Sequence, residues 1–141
     1  MRKQEAMLVH VVDDDDAVRE AVALLLACSG WRAALYPGAH PFLDALYAGR
    51  VAGDLLLLDL HMPAMDGATL LETLGARHLA PPTVVLTAAP ECDLARRAWN
   101  AGAVAILAKP LDPALLLRTL AAAVATTRAK GNASRSHKGN P

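Results

Sequence analysis

The 141 residues are 54% apolar and 20% charged, enough for one domain with a full core and too apolar for a disordered chain. Fourteen basic residues balance fourteen acidic ones, which leaves no concentrated basic surface of the kind that nucleic acid requires. The balance hides an asymmetry: Lys130, Arg135 and Lys138 lie in the last twelve residues, so the body holds eleven basic against fourteen acidic side chains, about −3.

Met1-Arg2-Lys3-Gln4-Glu5 is polar, and the apolar run after it is too short for a secretory signal. Leu115 to Val124 is interrupted by Arg118 and falls short of the roughly 20 residues of a membrane helix. A cytoplasmic chain with no membrane contact and no nucleic-acid binding is expected. Strand one is predicted over Leu8 to Val12, broken only by His10, and helix one from about Asp16, its cap, to Ala27, with Val18, Val22, Leu25 and Leu26 on its inner stripe and Gly30 past its end. Strand two covers Arg32 to Tyr36 and closes at Pro37-Gly38. Helix two carries Phe42, Leu43, Leu46 and Tyr47 and stops near Gly49. Strand three is Leu55 to Leu58, Asp66-Gly67 reads as a turn, and helix three lies between about Ala68 and Ala76. Strand four is Thr83 to Leu86, helix four about Asp93 to Ala101, and strand five Val104 to Leu107. Helix five follows from Pro113, a favourable first-turn proline. From Gly131 the chain is small, polar and unpatterned, and reads as a disordered tail or the stub of a linker. Trp99 and Met65 read as packing residues, and Cys28 and Cys92, with no CxxC and no histidine at ligand spacing, as buried thiols.

Short apolar runs alternating with helical patterns predict βαβ units, hence an α/β fold with a parallel sheet and helices on both faces. The two most continuously apolar strands are one and three, as expected of central strands covered on both sides. Both run into aspartate: Asp13-Asp14-Asp15-Asp16 after the first and Asp59 after the third. Two such strands place three or more carboxylates at one carboxyl edge, where open α/β sheets bind ligands.

Four positions in order at successive strand ends carry a family resemblance over about Val9 to Val124. They are the acidic pair Asp13 and Asp14, then Asp59, then Thr87, then Lys109-Pro110. The sequence resembles a receiver domain of a two-component response regulator, and His10-Val11-Val12-Asp13-Asp14-Asp15 with Asp59-Leu60-His61-Met62-Pro63 is similar to the branch represented by the nitrogen-fixation regulators. The resemblance implies a flavodoxin-like (βα)5 sheet with strand order 2-1-3-4-5, residues 1–7 as an N-terminal extension, 8–128 as the receiver and 129–141 as the tail. It implies Asp59 as phosphoacceptor, charged by a histidine kinase, a phosphotransfer protein or a small acyl phosphate.

Three carboxylates within about 5 Å repel by a few kcal/mol at an effective dielectric near 20, and a divalent cation removes that conflict. Oxygen-only ligands select a hard metal, Mg²⁺ or alternatively Mn²⁺. By resemblance Asp14 and Asp59 bind it directly, Asp13 directly or through a water, and the backbone carbonyl of His61 adds a ligand. Lys109 pairs with Asp59 at rest and with a phosphoryl oxygen afterwards, Thr87 donates its hydroxyl to another, and the bond before Pro110 is typically cis in the family. The chain departs from the pattern at Ile106, where an aromatic that rotates on phosphorylation is usual, so any signal has to travel through the loop after strand four and the packing of helix four. Leu111 stands where an aromatic is common. Ala89 and His61 occupy positions that influence dephosphorylation in the family.

Taken singly, Asp13 to Asp16 could be only a helix N-terminus, Lys109 a solvated cation and Thr87 a turn residue. A haloacid-dehalogenase-type enzyme expects its nucleophile after its first strand, and a nucleotide or flavin site needs glycines where this chain has four acids. A receiver that keeps the fold as a phosphate-independent docking module is the nearer alternative. The resemblance implies that the chain acts only on its own phosphorylation and dephosphorylation and does not turn over an external substrate. The residues after helix five leave no room for a helix-turn-helix or catalytic module, so two readings stand, a receiver that acts alone and a piece of a longer regulator, with a downstream protein or an attached output domain as the recipient of its signal. Leu115, Leu116, Leu117, Leu120 and Val124 cover more than one face of helix five, which points to a protein contact, a homodimer among the candidates, through helix four, strand five and helix five.

Overall fold

The computed structural model describes residues 7–50 and 54–138. Five strands alternate with five helices: β1 (Leu8–Val12), α1 (Asp16–Cys28), β2 (Arg32–Tyr36), α2 (Ala39–Tyr47), β3 (Leu55–Asp59), α3 (Gly67–Ala76), β4 (Thr83–Thr87), α4 (Asp93–Asn100), β5 (Ala105–Ala108) and α5 (Pro113–Lys138). Every pairing is parallel and the order is β2-β1-β3-β4-β5. Strand boundaries fall within a residue of those read from the sequence, and β3 and β4 each gain the residue that carries chemistry, Asp59 and Thr87.

Period-two alternation divides the apolar strand residues between two cores. Val9, Val11, Leu55, Leu57, Val84 and Leu86 pack with Val22 and Leu26 of α1 and with Leu116 and Leu120 of α5. Val12, Leu56, Leu58 and Val85 pack on the other face with Phe42, Leu43, Leu70, Leu71, Leu74, Ala95 and Ala98 of α2, α3 and α4. Leu55 to Leu58 are each at most 1% exposed, and each contributes roughly 1.5–3 kcal/mol. That burial fixes the position of Asp59 at their end. His10, the one interruption of β1, is also buried: its Nδ1 lies 3.1 Å from the Tyr36 hydroxyl and its ring packs on Tyr36 and Phe42.

Several local expectations are corrected. Asp15, not Asp16, caps α1, accepting from the N–H groups of Ala17 and Val18; Asp16 is the first helical residue and pairs with Arg19 instead. Asp66-Gly67 is no free turn, because Asp66 caps α3 and Gly67 begins it. Cys28 is exposed and Cys92 partly so, since the inward stripe of α1 is Val22 and Leu26, which turns Cys28 outward. Trp99 is 56% exposed, because α4 turns its small residues Ala95 and Ala98 to the sheet; Met65 does pack against the core.

Along α5, Leu116 and Leu120 are buried while Leu115 is 40% exposed. The helix continues to Lys138, past the point where the apolar pattern fades and through the segment read as a tail. No proline stands between Pro113 and Pro141, and an established helix adds one hydrogen bond per further residue. Residues 1–6 of the N-terminal extension, 51–53 and 139–141 lie outside the described residues. Among the described residues no helix is long and apolar enough to cross a membrane.

Candidate functional site

Register brings the acids together. Val12 is level with Leu58 across the β1–β3 pairing, so the next residues, Asp13 and Asp59, emerge side by side at the carboxyl edge. Thr87 ends β4, one step beyond Leu86, which is level with Asp59. Ala108 is level with Thr87, and Lys109, whose N–H donates to the Thr87 carbonyl at 2.9 Å, reaches back across β4. Its Nζ lies 3.0 Å from Asp13 Oδ2 and 3.4 Å from Asp59 Oδ1. The Lys109-Pro110 bond is cis.

Asp13, Asp14 and Asp59 offer carboxylate oxygens within 4.8 Å of one another. Asp13 is 1% and Asp59 5% exposed, while Asp14 faces solvent. This is an oxygen-only set, open on one side, which fits a hard divalent cation that keeps several waters. Burial pushes the Asp59 carboxyl above the ordinary carboxylate range and the charge of Asp13 adds to that; Lys109 and a hydrogen bond from the His61 backbone pull the other way without overcoming it. For Lys109, burial favours the neutral amine, but the hydrogen bond to Asp13 and the charges of Asp59 and Asp13 outweigh it, and the ammonium is held above its usual range. The site therefore holds two buried carboxylates against one cation.

Thr87 is fully buried, and its Oγ1 accepts the Ala89 N–H at 3.0 Å. The hydroxyl thus anchors the loop that leads into α4. Beside that loop a groove of about 380 Å³ is lined by Pro90, Glu91, Cys92, Ala95, Arg96, Trp99 and Ile106. Ile106, in place of a larger aromatic, forms part of its wall.

Gly67, which reads in the sequence only as part of a turn, lies against the acceptor strand. A Cβ there would lie 2.3 Å from the Asp59 carbonyl oxygen and 3.0 Å from Leu60 Cα, closer than non-bonded atoms tolerate. Gly67 therefore lets the first turn of α3 press on the backbone of Asp59 itself, and its N–H donates to the Leu60 carbonyl at 2.9 Å. The connecting loop passes through Ala64 at φ 70°, a left-handed conformation uncommon for a residue with a Cβ. An aspartate followed by glycine and then by a helical apolar pattern was the available signal.

A family model for the response regulator receiver domain matches residues 9–121. The chain belongs to the response regulator receiver family. It is similar to the transcriptional regulatory protein FixJ of Azorhizobium caulinodans, 35% identical over 127 residues that span 90% of this chain and 59% of FixJ. It is also similar to the DNA-binding transcriptional regulator NtrC of Escherichia coli, 36% identical over 74% of this chain and 22% of NtrC. The crystal structure of FixJ-N superposes with a TM-score of 0.77 at 31% identity, covering 86% of this chain and 95% of that one. These relatives bear out the nitrogen-fixation-regulator branch. The receiver spans little more than half of its FixJ relatives and about a fifth of NtrC.

Proposed function

We propose that this receiver accepts a phosphoryl group on Asp59 from the phosphohistidine of a histidine kinase or phosphotransfer protein, and that the phosphorylated chain changes its protein partners. The observation that carries the reading is the juxtaposition of the Asp59 carboxylate with Asp13, Asp14 and Lys109, with Thr87 at the adjoining strand end. Membership of the receiver family supports it.

An Asp59 oxygen attacks phosphorus, the P–N bond of the donor breaks, its electron pair passes to the imidazole nitrogen, and an acyl phosphate forms on Asp59. Mg²⁺, or Mn²⁺, would be held by Asp14 and Asp59, by Asp13 directly or through a water, and by the His61 carbonyl, and it supplies neutralisation of charge on the transferring oxygens. Lys109 exchanges its contact with Asp59 for a phosphoryl oxygen while keeping Asp13, a role that suits a compact ammonium. The Thr87 hydroxyl turns from Ala89 to donate to another phosphoryl oxygen, and the loop into α4 follows it. With Ile106 in β5, the signal runs through that loop and α4.

The exposed apolar side chains of Trp99, Val104 and Leu115 mark the α4, β5 and α5 face as the surface on which a partner, or a second copy, would dock. Residues 8–128 are the unit that carries these functions. The test is intact mass after incubation with acetyl phosphate and Mg²⁺. A gain of about 80 Da, one phosphoryl group bound covalently, that disappears on chelation is expected; a mass that never changes in the folded protein would overturn the reading.

A further inference from the structure

We propose that Arg97 fastens α4 in the resting arrangement of this receiver and is a positioning residue that sets how readily Asp59 is phosphorylated. The inference rests on the reading of Asp59 given above. Arg97 projects from α4 onto α3, where its Nε donates to Glu72 Oε2 at 3.1 Å and its Nη2 to Glu72 Oε1 at 2.5 Å. The same Nη2 donates to Thr69 Oγ1 at 3.1 Å. A two-pronged guanidinium–carboxylate pair has the geometry that separates a directional contact from a loose surface attraction.

Thr69 is not an isolated anchor. Its N–H and hydroxyl both donate to Asp66, at 2.7 and 3.2 Å, and Asp66 caps α3 immediately before Gly67, the residue pressed on the Asp59 backbone. A continuous set of contacts therefore runs from the acceptor strand through the α3 cap to the middle of α4. At the other end of α4, the Thr87 hydroxyl holds Ala89 and with it the entry to the helix. The helix is thus tied at two points: to the acceptor loop through Arg97 and to β4 through Thr87.

When Thr87 turns to the phosphoryl group, the second tie is released and α4 can shift only if the first gives way or carries α3 with it. A contact made in one state and lost in another favours the first by its own free energy. Arg97 and Glu72 are 43% and 45% exposed, so screening by water limits the effect to a modest bias. Their loss should shift the equilibrium about two- to fivefold toward the active arrangement.

The experiment uses the full chain at saturating Mg²⁺ and compares wild type with Arg97→Met, Glu72→Gln, the double variant and Arg96→Met. Arg96 lies next door on α4, faces Asp93 of its own helix at 3.6 Å, and controls for loss of one positive charge. The readouts are the initial rate of phosphorylation by acetyl phosphate and the beryllofluoride concentration for half-saturation, with thermal unfolding alongside. Both single variants are expected to react about two- to fivefold faster and to half-saturate at correspondingly lower beryllofluoride, with the double variant no further shifted and Arg96→Met matching wild type. A purely structural contact would lower the melting temperature and leave both readouts where they were, which overturns the proposal. So would slower reaction in either single variant, or an equal shift in Arg96→Met. Should Arg97→Met fold poorly, Glu72→Gln carries the comparison. If wild type takes up neither phosphoryl group nor beryllofluoride, the assignment of Asp59 itself has failed and the role of Arg97 falls with it.

Discussion

Asp59 is held in the fold as a carboxylate against its own preference. Its carboxyl titrates above the unfolded value of 3.8, first because it is buried and then because Asp13 faces it. A carboxyl raised on folding contributes stability that is present below the unfolded value and lost as pH rises through the folded one. At neutral pH in chelator, Asp59→Asn should therefore stabilise the protein by the order of 1 kcal/mol, and the gain should shrink as pH falls through the raised folded value, as urea titrations at several pH values would show. Mg²⁺ should stabilise wild type and not Asp59→Asn, because a ligand that binds only the folded state adds to its stability. Gly67→Ala tests the neighbouring contact. A methyl group 2.3 Å from the Asp59 carbonyl oxygen has to displace backbone on one side or the other, so a loss of about 1–3 kcal/mol is expected, together with slower phosphorylation than in an α3 variant matched for stability.

At the scale of the element, what was legible in the sequence follows from burial. Leu55 to Leu58 announce a strand covered on both faces, and the residue after it had to sit at the sheet edge; the same logic placed Asp13, Thr87 and Lys109. What could not be read depends on contacts between residues far apart in the chain. Gly67 looks like any turn glycine until α3 is laid against β3, and Arg97 and Glu72 are 25 positions apart. Which of four consecutive aspartates caps α1 turns on one backbone rotation, and the outward turn of Cys28 and Trp99 depends on which short stripe each helix commits to the sheet. Helix ends are partly legible: the α1 end has Gly30 at φ 80°, whereas the α3 end has His78 at φ 56° in the corresponding place. There the Leu79 N–H donates to the Leu74 carbonyl and the His78 N–H to that of Gly75, a helix stop that favours glycine. His78→Gly should raise stability by about 0.5 kcal/mol, the relief of the left-handed strain less the added entropy of the unfolded chain, as read from the urea midpoint.

Across the whole molecule, charge is sorted by the topology. Parallel strands and returning helices put residues 13–16, 59, 66, 91, 93 and 112, all acidic, at the carboxyl edge with Lys109 and Arg19 among them, while Arg32, Arg50 and Arg77 lie at the opposite end with Asp54. A chain with no net charge therefore keeps an excess of negative charge at its carboxyl edge. An anionic donor approaches the acidic end against repulsion that salt screens over about 10 Å at 0.1 M. Phosphorylation by acetyl phosphate at saturating Mg²⁺ should accordingly speed up about two- to threefold from low to physiological salt, and a rate that falls would point to attraction instead. The proposed function depends on one bond, that between Asp59 and phosphorus. Its most direct test is reduction of the acetyl-phosphate-treated chain with borohydride, which converts an aspartyl phosphate to homoserine, followed by peptide mass mapping. Homoserine at position 59, formed with Mg²⁺ and missing after chelation, is the predicted result. Homoserine at another aspartate, or a phosphorylated chain with Asp59 intact, would rule out Asp59 as the phosphoacceptor.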